Sequence, residues 1–217
     1  MNPIALLTAL TAGFLHALEP DHMAAVTTFV SRRPRPAAAL GFGLRWGLGH
    51  SAAILGVGVV VIALRLQIPE GVARGLEFGV GMLLLGLGLW LLWTVLHERA
   101  HRLAEGGHAH PHGEGHGHSH AHGSFWVGIA HGLAGTAPLL AILPVAMIHS
   151  SWMAAAYLLC FGVGTTVAMA LYALVAGAVF RQAGERLPAL GGTLRAVTAV
   201  FSAVLGVVWM AGALGGA

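Results

Sequence analysis

The sequence predicts an all-α integral membrane protein of six transmembrane helices, built as a 3+3 inverted repeat with broken helices at the midplane. Three observations predict it. Hydrophobic residues make up 57% of the 217-residue chain and charged residues 9%, where a soluble domain carries roughly 25% charged residues. Six apolar runs are each long enough to cross a hydrocarbon layer, which takes about 20 helical residues. The chain also repeats itself at an offset of 115 residues.

The first run, near 4–30, starts after Met-Asn-Pro. It has no basic leader and reads as a retained span rather than a cleaved signal. Inside it stand His16, Glu19, Asp21 and His22, and Asp21 is the sole aspartate of the chain. An ionisable side chain at the bilayer centre costs at least ~2.5–3.5 kcal/mol, so this group needs a compensating partner. Imidazole nitrogen and carboxylate oxygen are ligands for divalent transition metals. The competing reading is a polar helix contact sealed by hydrogen bonds. Pro20 argues against it, because it breaks the helix at the same place. Proline has no amide hydrogen, so the His16 carbonyl is expected to lose its helical partner. His16 and His22 would not share a face of an unbroken helix, and a kink at Glu19-Pro20 brings them together.

The second run, near 37–64, holds His50 between Gly49 and Ser51, where glycine lets a helix or an ion come close. Arg45 lies nearer the other end of this run, where it can snorkel. The third run, near 75–97, leads into the low-complexity segment 106–123. Seven histidines fall there: His108, His110, His112, His116, His118, His120 and His122. Glycine and proline are expected to keep the segment free of stable helix, as a loop that gathers imidazoles around Ni²⁺, Co²⁺, Zn²⁺ or Cu²⁺. The fourth run, near 124–148, carries His131 and its own weak point at Gly132, Gly135 and Pro138. The fifth, near 152–180, contains Cys160, and a single cysteine excludes an internal disulfide and two-cysteine redox chemistry. The sixth lies near 194–214.

The repeat aligns Gly13, His16 and Leu18 with Gly128, His131 and Leu133. It aligns Trp46-Gly47-Leu48-Gly49-His50-Ser51 with Phe161-Gly162-Val163-Gly164-Thr165-Thr166, and it sets Thr136 opposite Asp21. Halves of three spans each must sit upside down to one another, a recurring transporter plan. The expected units are 1–98, the His-rich loop 99–123, and 124–217.

Net charge is +3, from eleven arginines and no lysine. The arginines are spread thinly between apolar runs, which speaks against nucleic acid and for membrane topology. Eight lie in the odd-numbered loops and two between the second and third runs. The His-rich loop is therefore expected in the cytoplasm and both termini outside, in a bacterial-type inner membrane. No phosphate-binding loop is present, so the chain itself hydrolyses no nucleotide.

His16-x4-Asp21-His22 resembles the signature of the nickel/cobalt transporter family, and Leu48-Gly49-His50-Ser51 resembles its second block. His131-Gly132-Leu133-Ala134-Gly135 is similar to a motif of its shorter, six-span, urease-accessory-like branch. The resemblance spans essentially the whole chain. It implies that His16, Asp21, His22 and His50 select or pass the metal, with Glu19, His131 and Thr136 as further pathway residues. Two features depart from the family pattern: Glu19-Pro20 stands where Asp-Ala is usual, and 162–166 has no carboxylate.

The function expected from these readings is a Ni²⁺ permease of the cytoplasmic membrane, with Co²⁺ as second cargo and uptake as direction. It is not an enzyme and carries no resident cofactor; the candidate partners are lipid and a cytoplasmic metallochaperone. The rivals are an exporter loaded by the His-rich loop, and a membrane metal store or sensor without transport. An intramembrane metalloenzyme would want a His-Glu-x-x-His pattern, which is absent.

Overall fold

The structure, a computed structural model, describes residues 3–32, 34–64, 69–104, 121–134, 148 and 150–215. These residues form seven helices: α1 (Pro3–His16), α2 (Pro20–Val30), α3 (Pro36–Leu64), α4 (Glu70–Ala104), α5 (Ala121–Leu133), α6 (Ser151–Arg186) and α7 (Pro188–Gly215). The fold is all-α. Four of the helices are long and apolar enough to span a bilayer, and α1 with α2, bent by 57° at the break between them, is long and apolar enough as a pair. Large apolar side chains such as Leu7, Trp93 and Val175 point outward. An outer surface of that kind is stable only against lipid, and the chain is a multi-pass membrane protein.

The break in the first run follows from Pro20. It sits at the start of α2, where a missing amide costs nothing, and Glu19 precedes it with extended backbone (ψ 149°). The expectation that the His16 carbonyl is left free needs correcting. It accepts a hydrogen bond from the Glu19 amide at 3.0 Å, one residue short of the helical partner, so the chain tightens before it turns. The expected span ends also move outward. Helix α4 continues to Ala104, into the segment assigned to the loop, and α5 begins at Ala121 rather than after residue 123. Hydropathy marks only the part of a helix inside hydrocarbon, and the good helix formers of 98–104 carry α4 beyond it. Of the fourth expected run, α5 and the short stretch to Ala134 are described together with Ile148.

Helix α2 lies at the centre of the bundle. Ala24, Ala25, Val26 and Val30 pack against Trp46 of α3, Leu84 of α4 and Met169 of α6 in one buried cluster. Around it, α1 packs on α6, α5 on α3, and α4 on α7. Interhelical hydrogen bonds tie these pairs: Thr165 Oγ1 donates to the Gly13 carbonyl at 3.0 Å and Ser202 Oγ to the Leu84 carbonyl at 3.0 Å. Such bonds and small-residue contacts hold membrane helices where lipid removes the hydrophobic drive.

The close crossings are reciprocal. A Cβ on Gly13 would overlap the Phe161 carbonyl, and one on Gly128 the Trp46 carbonyl; a Cβ on Gly164 would meet the Leu10 carbonyl, and one on Gly49 the Phe125 carbonyl. Each member of these pairs is 115 residues from its counterpart. Ser51 and Thr166, themselves 115 apart, meet side chain to side chain at 3.1 Å. The α1–α6 and α3–α5 crossings are thus two versions of one contact.

Gly49→Ala and Gly164→Ala force backbone apart and should each destabilise the protein by about 1–3 kcal/mol, read as an earlier thermal transition in detergent. Gly56→Ala, where nothing lies within 4 Å, should be neutral or stabilising by up to ~1 kcal/mol through helix propensity.

Candidate metal centre

Three helix ends and one mid-helix position converge at the break. His16 closes α1, Asp21 and His22 open α2, His131 lies in the last turn of α5, and His50 lies within α3. All five side chains are buried. The glycine crossings put them there, because α5 lies on α3 close enough for Gly132 to face the His50 carbonyl. Asp21 also lies in the first turn of α2, where the helix dipole favours negative charge.

Asp21 is held between two imidazoles. His22 Nδ1 is 3.0 Å from its Oδ1, and His131 Nε2 is 3.3 Å from its Oδ2. A carboxylate accepts both bonds, so each ring carries its proton on the nitrogen facing Asp21. The opposite nitrogens, His22 Nε2 and His131 Nδ1, are then bare lone pairs. The His22 ring centroid lies 4.6 Å from that of His16, 4.8 Å from His50 and 4.5 Å from His131. His16 and His50 are 5.5 Å apart. His16 Nδ1 stands 3.1 Å from Glu19 Oε1, near enough for ion pairing but not aligned for a hydrogen bond.

Among the described residues, His16 Nε2, His22 Nε2, both nitrogens of His50 and His131 Nδ1 are buried without a hydrogen-bond partner. An unsatisfied buried polar atom costs about 1–3 kcal/mol. The convergence of these nitrogens at one point fits a site that receives a polar ligand or an ion. Two triads have ligand atoms within 4.8 Å of one another: His16, His22 and His50, and Asp21, His22 and His131. His22 belongs to both.

The structure brings together His16, Asp21, His22 and His50, with Glu19 beside His16, His131 on the far side of Asp21, and His22 at the centre. Thr136 and the loop histidines His108 to His120 lie outside the described residues, and His122 falls within the first turn of α5. Two wall residues carry no role in the sequence reading. Phe161 covers His16 at 5.6 Å between centroids and Trp46 covers His131 at 5.7 Å. The repeat aligns Phe161 with Trp46 as it aligns His16 with His131, and that alignment was the available signal.

The chain is 30% identical to the urease accessory protein UreH of Bacillus sp. (strain TB-90) over 216 residues, covering 97% of this chain and 93% of that protein. It is 30% identical to the chloroplast protein FOR GROWTH AND FERTILITY 2 of Arabidopsis thaliana over 187 residues, 83% of this chain and 49% of the relative. It is 27% identical, over 48% of its length and 50% of the relative's, to a protein of Methanocaldococcus jannaschii provisionally named a nickel/cobalt efflux system. None of these three names is an enzyme's. No family model and no solved structure matches the chain.

With the seven loop histidines replaced by serine, His22→Ala should weaken Ni²⁺ binding more than His16→Ala or His131→Ala. Each loss should be at least about tenfold, since outer partners of a metal ligand are alone worth about 10–100-fold. Calorimetric titration of the detergent-solubilised variants checks the order.

Proposed function

Because the chain belongs to the family of the urease accessory protein UreH, we propose that it is a secondary-type permease carrying Ni²⁺, with Co²⁺ as second cargo, across the cytoplasmic membrane. One observation carries this reading: imidazole nitrogens without partners converge at a broken helix inside a bundle that spans lipid. Irregular backbone at membrane depth is tolerated only where it is buried or lines a path, and broken helices at the midplane are where transporters place their sites. Imidazole suits Ni²⁺ and Co²⁺, whereas Mg²⁺ and Ca²⁺ want oxygen ligands.

In this reading His16, His22 and His50 bind the ion directly. Asp21 orients His22 and His131 and offsets the ion's charge, as carboxylates behind metal-bound histidines do. His131 and Asp21, sharing His22, form the adjoining step of the path, and Glu19 attracts the ion beside His16. In sequence, Thr136 is the counterpart of Asp21 in the second half. The units 1–98 and 124–217 form two inverted halves of a six-span bundle, a reading supported by the reciprocal glycine contacts. The His-rich segment between α4 and α5 gathers metal on the cytoplasmic side, open to a metallochaperone, and both termini face outward. Uptake is the direction proposed. Export is the second reading, favoured by the likeness to the M. jannaschii protein.

Asp21→Asn keeps the side-chain shape and removes the charge that fixes both rings. It should abolish metal flux into proteoliposomes while the protein stays folded and inserted. Flux near that of the unsubstituted chain would reduce Asp21 to a packing role.

Replacing the seven loop histidines by serine should leave flux and the order among Ni²⁺, Co²⁺ and Zn²⁺ intact. Only the apparent affinity on the loop side should weaken. Loss of flux in both directions, in correctly inserted protein, would place the loop in the path.

A further inference from the structure

Among the described residues outside the buried cluster, one other pair of imidazoles stands nitrogen to nitrogen. His97 and His101 stand one turn apart on α4, and their Nε2 atoms are 3.1 Å from each other. Residues four apart share a helix face, which sets the two rings side by side, and Trp93 stacks on His97. Two nitrogens about 2.0–2.1 Å from a shared ion come about this close to each other. Both side chains are exposed, and they border a cleft of about 630 Å³ with Ser31, Arg32, Glu98 and Arg195. Glu98 and Arg195 close one wall through a two-pronged ion pair of 2.7 and 3.0 Å. The cleft ends on the last turn of α2. Ser31 lies nine residues beyond His22, about 14 Å along a helix at 1.5 Å per residue. In sequence, His101 precedes the first loop histidine, His108, by seven residues.

We propose that His97 and His101 form a second metal site, a two-imidazole station at the mouth of the bundle that takes up a first-row divalent ion between the His-rich segment and the buried cluster. Each ring keeps its proton on Nδ1 and turns its Nε2 lone pair to the ion, with water in the other positions. Two ligands bind weakly and exchange quickly, which suits a transfer point rather than a store. Arg32, which lies over the Trp90 ring at 4.0 Å and borders the cleft, works in the same direction, because its charge keeps the cation from settling deeply. The station's place in a transport route rests on the permease reading; the existence of the site does not.

Two tryptophans make the two sites separately visible. Trp93 stacks on His97 with ring centroids 5.1 Å apart and planes at 12°, whereas Trp46 lies against His131 of the buried cluster. The test uses the full chain with the seven loop histidines replaced by serine, in detergent, titrated with Ni²⁺ alone while tryptophan emission is followed. Bound paramagnetic ion at the station should quench a component that Trp93→Phe removes. Substituting His97→Ala and His101→Ala together should remove the same component, and His101→Ala alone should shift it to at least about tenfold higher Ni²⁺. The component lost in Trp46→Phe should persist in all three. Trp93 quenching that survives the double histidine substitution would overturn the station. Loss of the Trp46 component with the Trp93 component intact would instead count against the buried site and leave the station standing.

Discussion

A carboxylate inside lipid needs its charge answered, and the Asp21 carboxylate between His22 and His131 is the contact on which this architecture turns. Isolated at that depth it would not stay ionised. Its answer comes from three directions: a ring from its own helix, a ring from α5, and the amino end of α2. That last contribution exists only because the first span is broken. An unbroken helix would bury Asp21 in mid-helix, with neither exposed amides nor a dipole end beside it. Pro20 is thus less a defect than the means by which a helix start is placed within the bundle.

The second requirement is closeness. His131 reaches Asp21 because α5 lies almost backbone to backbone on α3, and His16 lies against Phe161 because α1 does the same on α6. Glycine is the only residue that allows either crossing. Each half of the chain supplies one such crossing and one histidine at the end of the helix that makes it. Beyond that histidine the halves diverge. The first continues into Glu19, Asp21 and His22, while the corresponding residues of the second are Ala134, Thr136 and Ala137 and carry no charge. The two crossings share a scaffold, and the strong ligands come from one side of it.

Much of this was legible in the residues. The break at Pro20 and the convergence of His16 and His22 follow from rules about proline, helix faces and the cost of polar groups in lipid, whereas His50 was singled out by its flanking glycine and the family resemblance. The partner of Asp21 was less legible, since nothing local in Gly128–Leu133 says which residue on another helix His131 will touch. The recapture of the His16 carbonyl by the Glu19 amide was not legible either, because proline tells which bond is lost but not what replaces it. The ends of α4 and α5 escape a hydropathy reading for a different reason: helix continues past the hydrocarbon edge, where composition turns polar without the backbone changing. His97 and His101 are masked in the sequence by the denser run of histidines after them, although their spacing of four is in plain view.

Phe161 and Trp46 have a bearing on the membrane's voltage. Imidazoles within 4.5–5.9 Å of one another are proton carriers as well as metal ligands. A row of them reaching both faces would leak protons and discharge the gradient that drives secondary transport. Here the row is short, and an aromatic ring with no proton to exchange through its face stands at each end of it. Among the described residues, the carboxylate that touches the row from a partly exposed position is Glu19. Among those residues Glu19 is thus the group that joins the row to the outside, beside His16.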